Sequence, residues 1–142
     1  KMTCVKEEIL WEKINEGDEK ELTVGPITRT DLVKYAGASG DFNPNHHDEI
    51  YSIRSGFEKP FAHGMLQGGI LSRLITDWFG VETLRYFRLR FSAQTWPGDT
   101  INCKAKVINK IEEENSIEIE AEATNASNVL LIKAKAKVEI KK

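Results

Sequence analysis

The chain has 142 residues and a formal net charge of −2, and 40% of its residues are hydrophobic and 30% charged. This balance is typical of a globular domain with one core and excludes a disordered chain. Lysines alternate with apolar residues instead of clustering, which argues against a nucleic-acid partner. No apolar run reaches the roughly 18 residues of a membrane-spanning helix, so we expect no membrane partner.

The cysteines and the N-terminal residues indicate the cellular compartment. Cys4 and Cys103 are the only cysteines and form no CxxC pair. A single disulfide is one alternative, but two reduced thiols are the expected state. Residues 1–8 are charged and lack the apolar stretch of a secretory signal. We therefore expect a cytoplasmic protein.

The first half of the chain predicts short, loop-rich elements. Residues 21–24 predict a strand that ends at a Gly-Pro pair. Thr28 and Asp31 have the spacing of a capping box and predict a helix over residues 29–38. Residues 48–54 are a candidate for one further short helix.

A longer helix is predicted over Gly64–Phe79. Apolar residues recur every four positions from Leu66 to Leu74, and others fill the neighbouring stripe. So wide an apolar surface predicts a helix mostly enclosed by protein. Gly68 and Gly69 inside it cost about 1 kcal/mol each relative to Ala. We expect a strand or a ligand to press closely against the backbone there.

The second half predicts strands, because apolar and polar residues alternate with period two. The alternating segments are residues 86–91, 101–107, 117–123 and 132–140. Such alternation predicts a sheet with one buried and one solvated face. A row of Glu flanked by two rows of Lys favours antiparallel neighbours, and Asn115 and residues 125–128 supply turns. The expected fold is α+β, an antiparallel sheet wrapped around the 64–79 helix in one domain over residues 1–142.

The first of two polar clusters reads SGDFNPNHHD over residues 39–48. Asp41 and His46, in a loop stiffened by Pro44, can converge on one water and supply the acid and base of a hydration reaction. Local sequence alone leaves an alternative, in which Asp41 caps a turn and His46 is a surface residue. A metal site is a further alternative, with four potential ligands: His46, His47, Asp48 and His63. Adjacent histidines in a loop lack the i, i+4 spacing of a helical site, so we expect no metal.

The second cluster reads PFAHGML over residues 60–66, at the start of the long helix. A helix N-terminus presents unpaired N–H groups and a partial positive charge. Gly64 lets a ligand oxygen approach this backbone closely. A thioester carbonyl docked there would be polarised, an arrangement worth about 2.7–4 kcal/mol per donor. His63 has two interpretations, a ligand contact or a packing residue whose imidazole bonds to the backbone.

Together the clusters resemble the hydratase-2 motif of the (R)-specific enoyl-CoA hydratases and dehydratases, which belong to the MaoC-like hot-dog family. The matching residues are Y-A-x-x-S-G-D-x-N-P-x-H-x-D over 35–48 and F-x-x-P-x-A-H-G-M-L over 57–66. Residues 91–99, with their Pro-Gly-Asp turn, are similar to a later part of the family pattern. The resemblance extends from Glu21 onward and implies a hot-dog fold, with a sheet around a central helix.

The resemblance also implies an activity and its residues. The expected reaction is the reversible hydration of 2-enoyl thioesters of coenzyme A or acyl carrier protein to (R)-3-hydroxyacyl thioesters, without a cofactor. Asp41 and His46 match the catalytic pair, and Gly64 matches the backbone donor to the thioester carbonyl. The expected substrate-binding residues are Asn43, His63, Met65, Gly68 and Gly69. A homodimer or a higher oligomer of dimers is expected.

Two positions depart from the family pattern. Asn45 stands where the family usually has an aliphatic residue, and His47 creates a His-His pair. The resemblance places these two positions at the wall of the acyl pocket. Two alternative functions stay open: a subunit of a heteromeric dehydratase, and a hot-dog thioesterase that hydrolyses the acyl–sulfur bond.

Overall fold

The computed structural model describes residues 9–141. The α-helices of this part are α1 (Arg29–Ser39), α2 (Glu49–Arg54) and α3 (Gly64–Phe79). The strands are β1 (Glu19–Val24), β2 (Leu84–Phe91), β3 (Ile101–Ile111), β4 (Ser116–Thr124) and β5 (Leu130–Glu139). Short 3₁₀ turns lie at Trp11–Lys13, Pro44–His46, Val81–Thr83 and Glu112–Glu114. Among the described helices, none has the length and apolar character needed to cross a bilayer.

The five strands form one antiparallel sheet in the order β1-β3-β4-β5-β2. Helix α3 lies against all five strands. The core consists of the inward side chains of the sheet and one side of α3, including Leu71, Ile75 and Phe79. The predicted architecture, an antiparallel sheet around a long helix, is confirmed.

The alternation within the strands predicts the two faces of the sheet correctly, except at Phe91 at the end of β2, which is exposed. In β3 the residues Ile101, Cys103, Ala105 and Val107 are buried and their neighbours are exposed. On the solvated face, Glu residues of β4 pair in register with Lys residues of β3 and β5, as the Glu and Lys rows in the sequence predicted. The pairs are Lys104–Glu122, Lys106–Glu120, Glu120–Lys135 and Glu122–Lys133.

The smaller elements also follow their local signals. Asp31 N–H donates to Thr28 Oγ1 and Thr28 N–H donates to Asp31 Oδ2, so the predicted capping box forms at the start of α1. Gly40 ends the helix with a φ of 77°, which favours glycine. Strand β1 begins two residues before the predicted position 21.

Cys103 carries a free thiol in the core. Burial raises its pKa to about 11, because the thiolate would lose its hydration. Cys4 and the rest of residues 1–8 lie outside the described residues.

Helix α3 departs from the expectation of an enclosed helix. Its buried residues lie on one side, whereas Met65, Gly69, Arg73 and Asp77 form an exposed stripe. The physical reason is that the sheet covers only one side of the helix. The two glycines consequently differ. A Cβ on Gly68 would lie 2.7 Å from Leu89 Cδ1 of β2, but a Cβ on Gly69 would meet no described atom within 4 Å. The predicted close approach of a strand is confirmed for Gly68, whereas no described strand presses against Gly69, where a close ligand stays a prediction.

Candidate active site

The two polar clusters meet beside the N-terminus of α3. The first cluster follows α1 and turns at Pro44–His46, where Asn43 Oδ1 accepts a hydrogen bond from Asn45 N–H at 3.0 Å. Phe61 N–H then donates to Asn45 O at 3.2 Å. This backbone bond joins the segment before α3 to the loop after α1. Residues that are about 15 positions apart in sequence therefore share one site.

His46 is held in a defined tautomer. Its side chain is 9% exposed, and its Nδ1 lies 2.7 Å from the carbonyl oxygen of Phe61. Because a carbonyl only accepts hydrogen bonds, Nδ1 carries the proton and donates it. The lone pair is then on Nε2, which lies 3.8 Å from Asp41 Oδ2. Asp41 is 51% exposed, so the pair combines a buried imidazole with a half-exposed carboxylate.

His63 lies behind this pair. Its ring is 1% exposed, it stacks on the ring of His46 with centroids 3.9 Å apart, and Tyr35 covers it at 4.8 Å. Its Nε2–H donates to the backbone carbonyl of Asp41 at 3.0 Å. Desolvation lowers the pKa of His63, and the bond to Asp41 opposes this only in part. The geometry favours the packing interpretation over direct contact with a ligand.

Gly64 opens α3. His63, at the N-cap, makes no side-chain cap to the first turn. The N–H groups of that turn are thus not occupied by a capping side chain. Gly64 is exposed, and a Cβ there would lie 3.2 Å from the ring of Phe91. Phe91 itself is 51% exposed at the end of β2, where strand alternation had predicted an inward position. Its ring therefore forms one wall beside the helix N-terminus.

The other predicted site residues have varied surroundings. Asn43 is exposed, and its side chain caps the 3₁₀ turn. Met65 is 53% exposed on the first turn of α3. Asn45, one of the two departures, turns inward: its Oδ1 is buried and accepts no hydrogen bond from the described residues. His47 is exposed.

Three side chains could hold a cation. Asp41, His46 and His63 each offer one ligand atom, and these three atoms lie within 4.8 Å of one another. Two further candidates from the sequence stand apart from this cluster. His47 points to solvent, and Asp48 caps α2 by accepting from Tyr51 N–H at 2.9 Å.

Outside the two clusters, the described residues form an apolar groove and a charged depression. An apolar groove of about 440 Å³ runs between α1 and α3, and Tyr35, Leu66 and Ile70 are part of its lining. Tyr35 also covers His63, so the groove adjoins the clusters. Gly68 and Gly69 are not among the described residues that line it. A depression of about 790 Å³ lies among the charged rows of the sheet and includes none of the predicted site residues.

Two features of the site were not foreseen from the sequence. The carbonyl of Phe61 orients His46, and the ring of Phe91 lies against Gly64. The first could not be found from side-chain types, because a backbone atom makes the bond. The second had a weak signal, since Phe91 belongs to a segment that resembles the family pattern.

Comparison with known proteins places the fold and the motifs in one family. The family model of the MaoC like domain matches residues 13–129. The chain is 29% identical over 123 residues to the (R)-specific enoyl-CoA hydratase of Rhodospirillum rubrum, and the match covers 85% of each chain. Three other curated relatives are longer proteins, of which the match covers 8% to 27%.

Solved structures agree in fold. The unliganded R-hydratase PhaJ1 from Pseudomonas aeruginosa is similar with a TM-score of 0.86 and 26% identity, over 95% of this chain and 87% of that one. The ChsH1-ChsH2 complex from Mycobacterium tuberculosis has a chain with a TM-score of 0.80 and 22% identity, over 89% and 98%. This second likeness concerns the fold alone. The hot-dog fold is thereby confirmed, and the chain belongs to the MaoC-like domain family.

Proposed function

We propose that the protein catalyses the reversible hydration of 2-enoyl thioesters to (R)-3-hydroxyacyl thioesters. One observation carries the proposal: Asp41 Oδ2 and His46 Nε2 face each other across 3.8 Å beside the first turn of helix α3. A water that bridges the two atoms would contact both acid–base groups. The similarity to proteins named (R)-specific enoyl-CoA hydratase supports the same reaction.

The pair would act on a single water. Asp41 and His46 remove a proton from the water while its oxygen attacks Cβ of the enoyl group. The pair then delivers a proton to Cα, so that H and OH are added and the pair returns to its starting state. The hydrogen bond that His46 Nδ1–H donates to Phe61 O keeps this proton on Nδ1 and leaves Nε2 to exchange protons with the water. Dehydration is the same sequence in reverse.

The backbone of α3 would stabilise the negative charge that develops on the thioester oxygen. The Gly64 N–H lies at the positive end of the helix, and the absence of a side chain there leaves room for the oxygen. The groove lined by Tyr35, Leu66 and Ile70 is the surface on which we place the acyl chain. Its apolar lining suits a hydrocarbon, because burial of each CH₂ contributes about 0.8 kcal/mol.

The reaction is tested with crotonyl-CoA and the purified protein. We expect loss of the enoyl absorbance without release of free thiol, and chromatography of the product should identify the (R)-3-hydroxy isomer. Thiol release at the same rate would instead favour a thioesterase. The (S) isomer, or no change in absorbance, would contradict the proposal.

We also propose that two copies of the chain associate. Several large apolar side chains near the site are exposed: Phe42, Ile50, Tyr51, Ile53 and Met65. Large apolar side chains that stay exposed on a folded domain are candidates for an interface between subunits. Light scattering after size exclusion should give twice the mass of one chain. A monomer that gains both mass and activity only with a second protein would favour the heteromeric alternative.

A further inference from the structure

His63 contacts both members of the proposed catalytic pair through different parts of its ring. Its Nε2–H donates to the backbone carbonyl of Asp41 at 3.0 Å. One face of the same ring stacks on His46, with the centroids 3.9 Å apart and the planes inclined by 29°. A single side chain at the start of α3 therefore touches two residues of the loop that follows α1.

The bond from His63 is the long-range tether of Asp41. The other hydrogen bonds of Asp41 are local, since its N–H donates to Ser39 Oγ at 3.1 Å and its Oδ1 accepts from Asn43 N–H at 3.3 Å. Among the described residues, His63 alone forms a hydrogen bond with Asp41 from outside this loop. The placement of the Asp41 carboxylate relative to the core thus depends on His63.

The imidazole of His46 depends less on His63, because it has a second tether. Its Nδ1–H donates to Phe61 O at 2.7 Å, which fixes the ring from the other cluster. Loss of the N–H donor of His63 should therefore displace Asp41 more than loss of the stacked ring displaces His46.

His63 is itself held by rigid elements and enclosed by protein. Its ring is 1% exposed, Tyr35 of α1 contacts it with centroids 4.8 Å apart, and its backbone forms the N-cap of α3. Helix α3 in turn lies against all five strands. Because the ring is enclosed and its Nε2–H is bonded to Asp41, His63 can act on a reaction only through its neighbours.

We propose that His63 is a positioning residue for the hydration reaction. It holds the Asp41 carboxylate and the His46 imidazole in the arrangement in which both contact one water, and it does not touch the substrate. This inference rests on the proposed function. The rate of a reaction that needs two groups on one water is sensitive to their placement, and a displacement of about 1 Å can lower it by about 100-fold.

Two variants separate the hydrogen bond from the ring contact. His63→Phe keeps an aromatic ring beside His46 and removes the donor to Asp41, whereas His63→Gln keeps an N–H donor and removes the ring. We expect His63→Phe to lower kcat for crotonyl-CoA by about 10- to 100-fold and to change KM by less than about twofold. The kcat of His63→Gln should lie between, at least about threefold from both the wild type and His63→Phe. Melting temperatures are measured on the same samples of the full chain.

A double-variant cycle tests whether His63 acts through Asp41. Residues that act as a unit are not additive, so in the Asp41→Asn background His63→Phe should lower the residual kcat by less than about twofold. The matched control is His47→Gln, because His47 is an exposed histidine in the same loop. Its kcat should stay within about twofold of the wild type.

Several outcomes would overturn the inference. These are a wild-type kcat in His63→Phe, a full multiplicative loss in the double variant, and a raised KM with unchanged kcat, which would indicate a substrate contact. If His63→Phe does not fold, His63→Gln decides, and a wild-type kcat in that variant overturns the positioning role. A wild-type protein that does not hydrate crotonyl-CoA would contradict the proposed function itself and this inference with it, so the two failures are distinguishable.

Discussion

At the scale of single residues, the sequence identifies the reactive groups but not their orientation. Asp41 and His46 are readable because a carboxylate and an imidazole stand five positions apart in a loop that resembles a known motif. The tautomer of His46 is not readable, because it depends on the carbonyl of Phe61. The position of His63 depends in the same way on the carbonyl of Asp41. The pattern of residue types does not show which backbone carbonyls will accept hydrogen bonds from side chains.

His63 should make stability depend on pH. Its pKa in the fold lies below the ordinary value of 6.5, because burial disfavours the imidazolium. As the pH falls through 6.5, the unfolded chain therefore binds more protons than the folded one, and stability is lost. We expect the melting temperature to fall between about pH 7.5 and 5.5, and to fall less in His63→Gln. An unchanged fall in His63→Gln, with His47→Gln as control, would contradict this account.

At the scale of elements, the sequence predicts the bounds of helix α3 but not which of its residues face the sheet. Its apolar residues predict the helix and its bounds correctly, but they do not tell which of two adjacent glycines faces the sheet. Gly68 faces Leu89, and Gly69 lies on the exposed stripe. A rotation of about 100° between neighbouring helical residues separates the two environments. Only the packed structure distinguishes them.

The glycines of α3 provide a paired test of packing and of the acyl path. Gly68→Val should press on Leu89, cost about 1–3 kcal/mol of stability, and lower the rates with all chain lengths alike. Gly69→Val meets no described atom and should leave the melting temperature unchanged. If Gly69 borders the acyl path, as the sequence predicts, this variant loses activity on long enoyl thioesters and spares crotonyl-CoA. Rates are measured against chain length together with thermal melts.

A uniform loss of rate with a lowered melting temperature in Gly69→Val would contradict its predicted place in the substrate path. A selective loss of long substrates in Gly68→Val, with unchanged stability, would contradict its packing role.

The charged rows of the sheet should be solvated and not catalytic. Lys135 is exposed and pairs in register with Glu120. Because exposed ion pairs contribute little, Lys135→Gln should change the free energy of unfolding by less than about 1 kcal/mol and leave hydration of crotonyl-CoA unchanged. Denaturant unfolding and steady-state rates test this. A loss of activity in the folded variant would show that this face has a role in the reaction.

At the scale of the whole molecule, the architecture follows from two periodicities. Period-two alternation in four segments gives the sheet and its faces, and the four-residue repeat gives the helix that the sheet covers. Strand order is not contained in either pattern. The last strand in the chain, β5, lies between β4 and β2, and β1 forms the opposite edge. That order comes from long-range pairing, of which the row of Glu flanked by two rows of Lys indicated only one part, the position of β4 between β3 and β5.

The central claim is that Asp41 and His46 act as one unit on water. The most direct test is the rate of crotonyl-CoA hydration in the wild type, Asp41→Asn, His46→Gln and the double variant, with melting temperature and free thiol measured on the same samples. We predict that each single change lowers turnover by about 100-fold or more without loss of stability, and that the double change costs scarcely more than the worse single. Near-wild-type hydration in either single variant would contradict the claim.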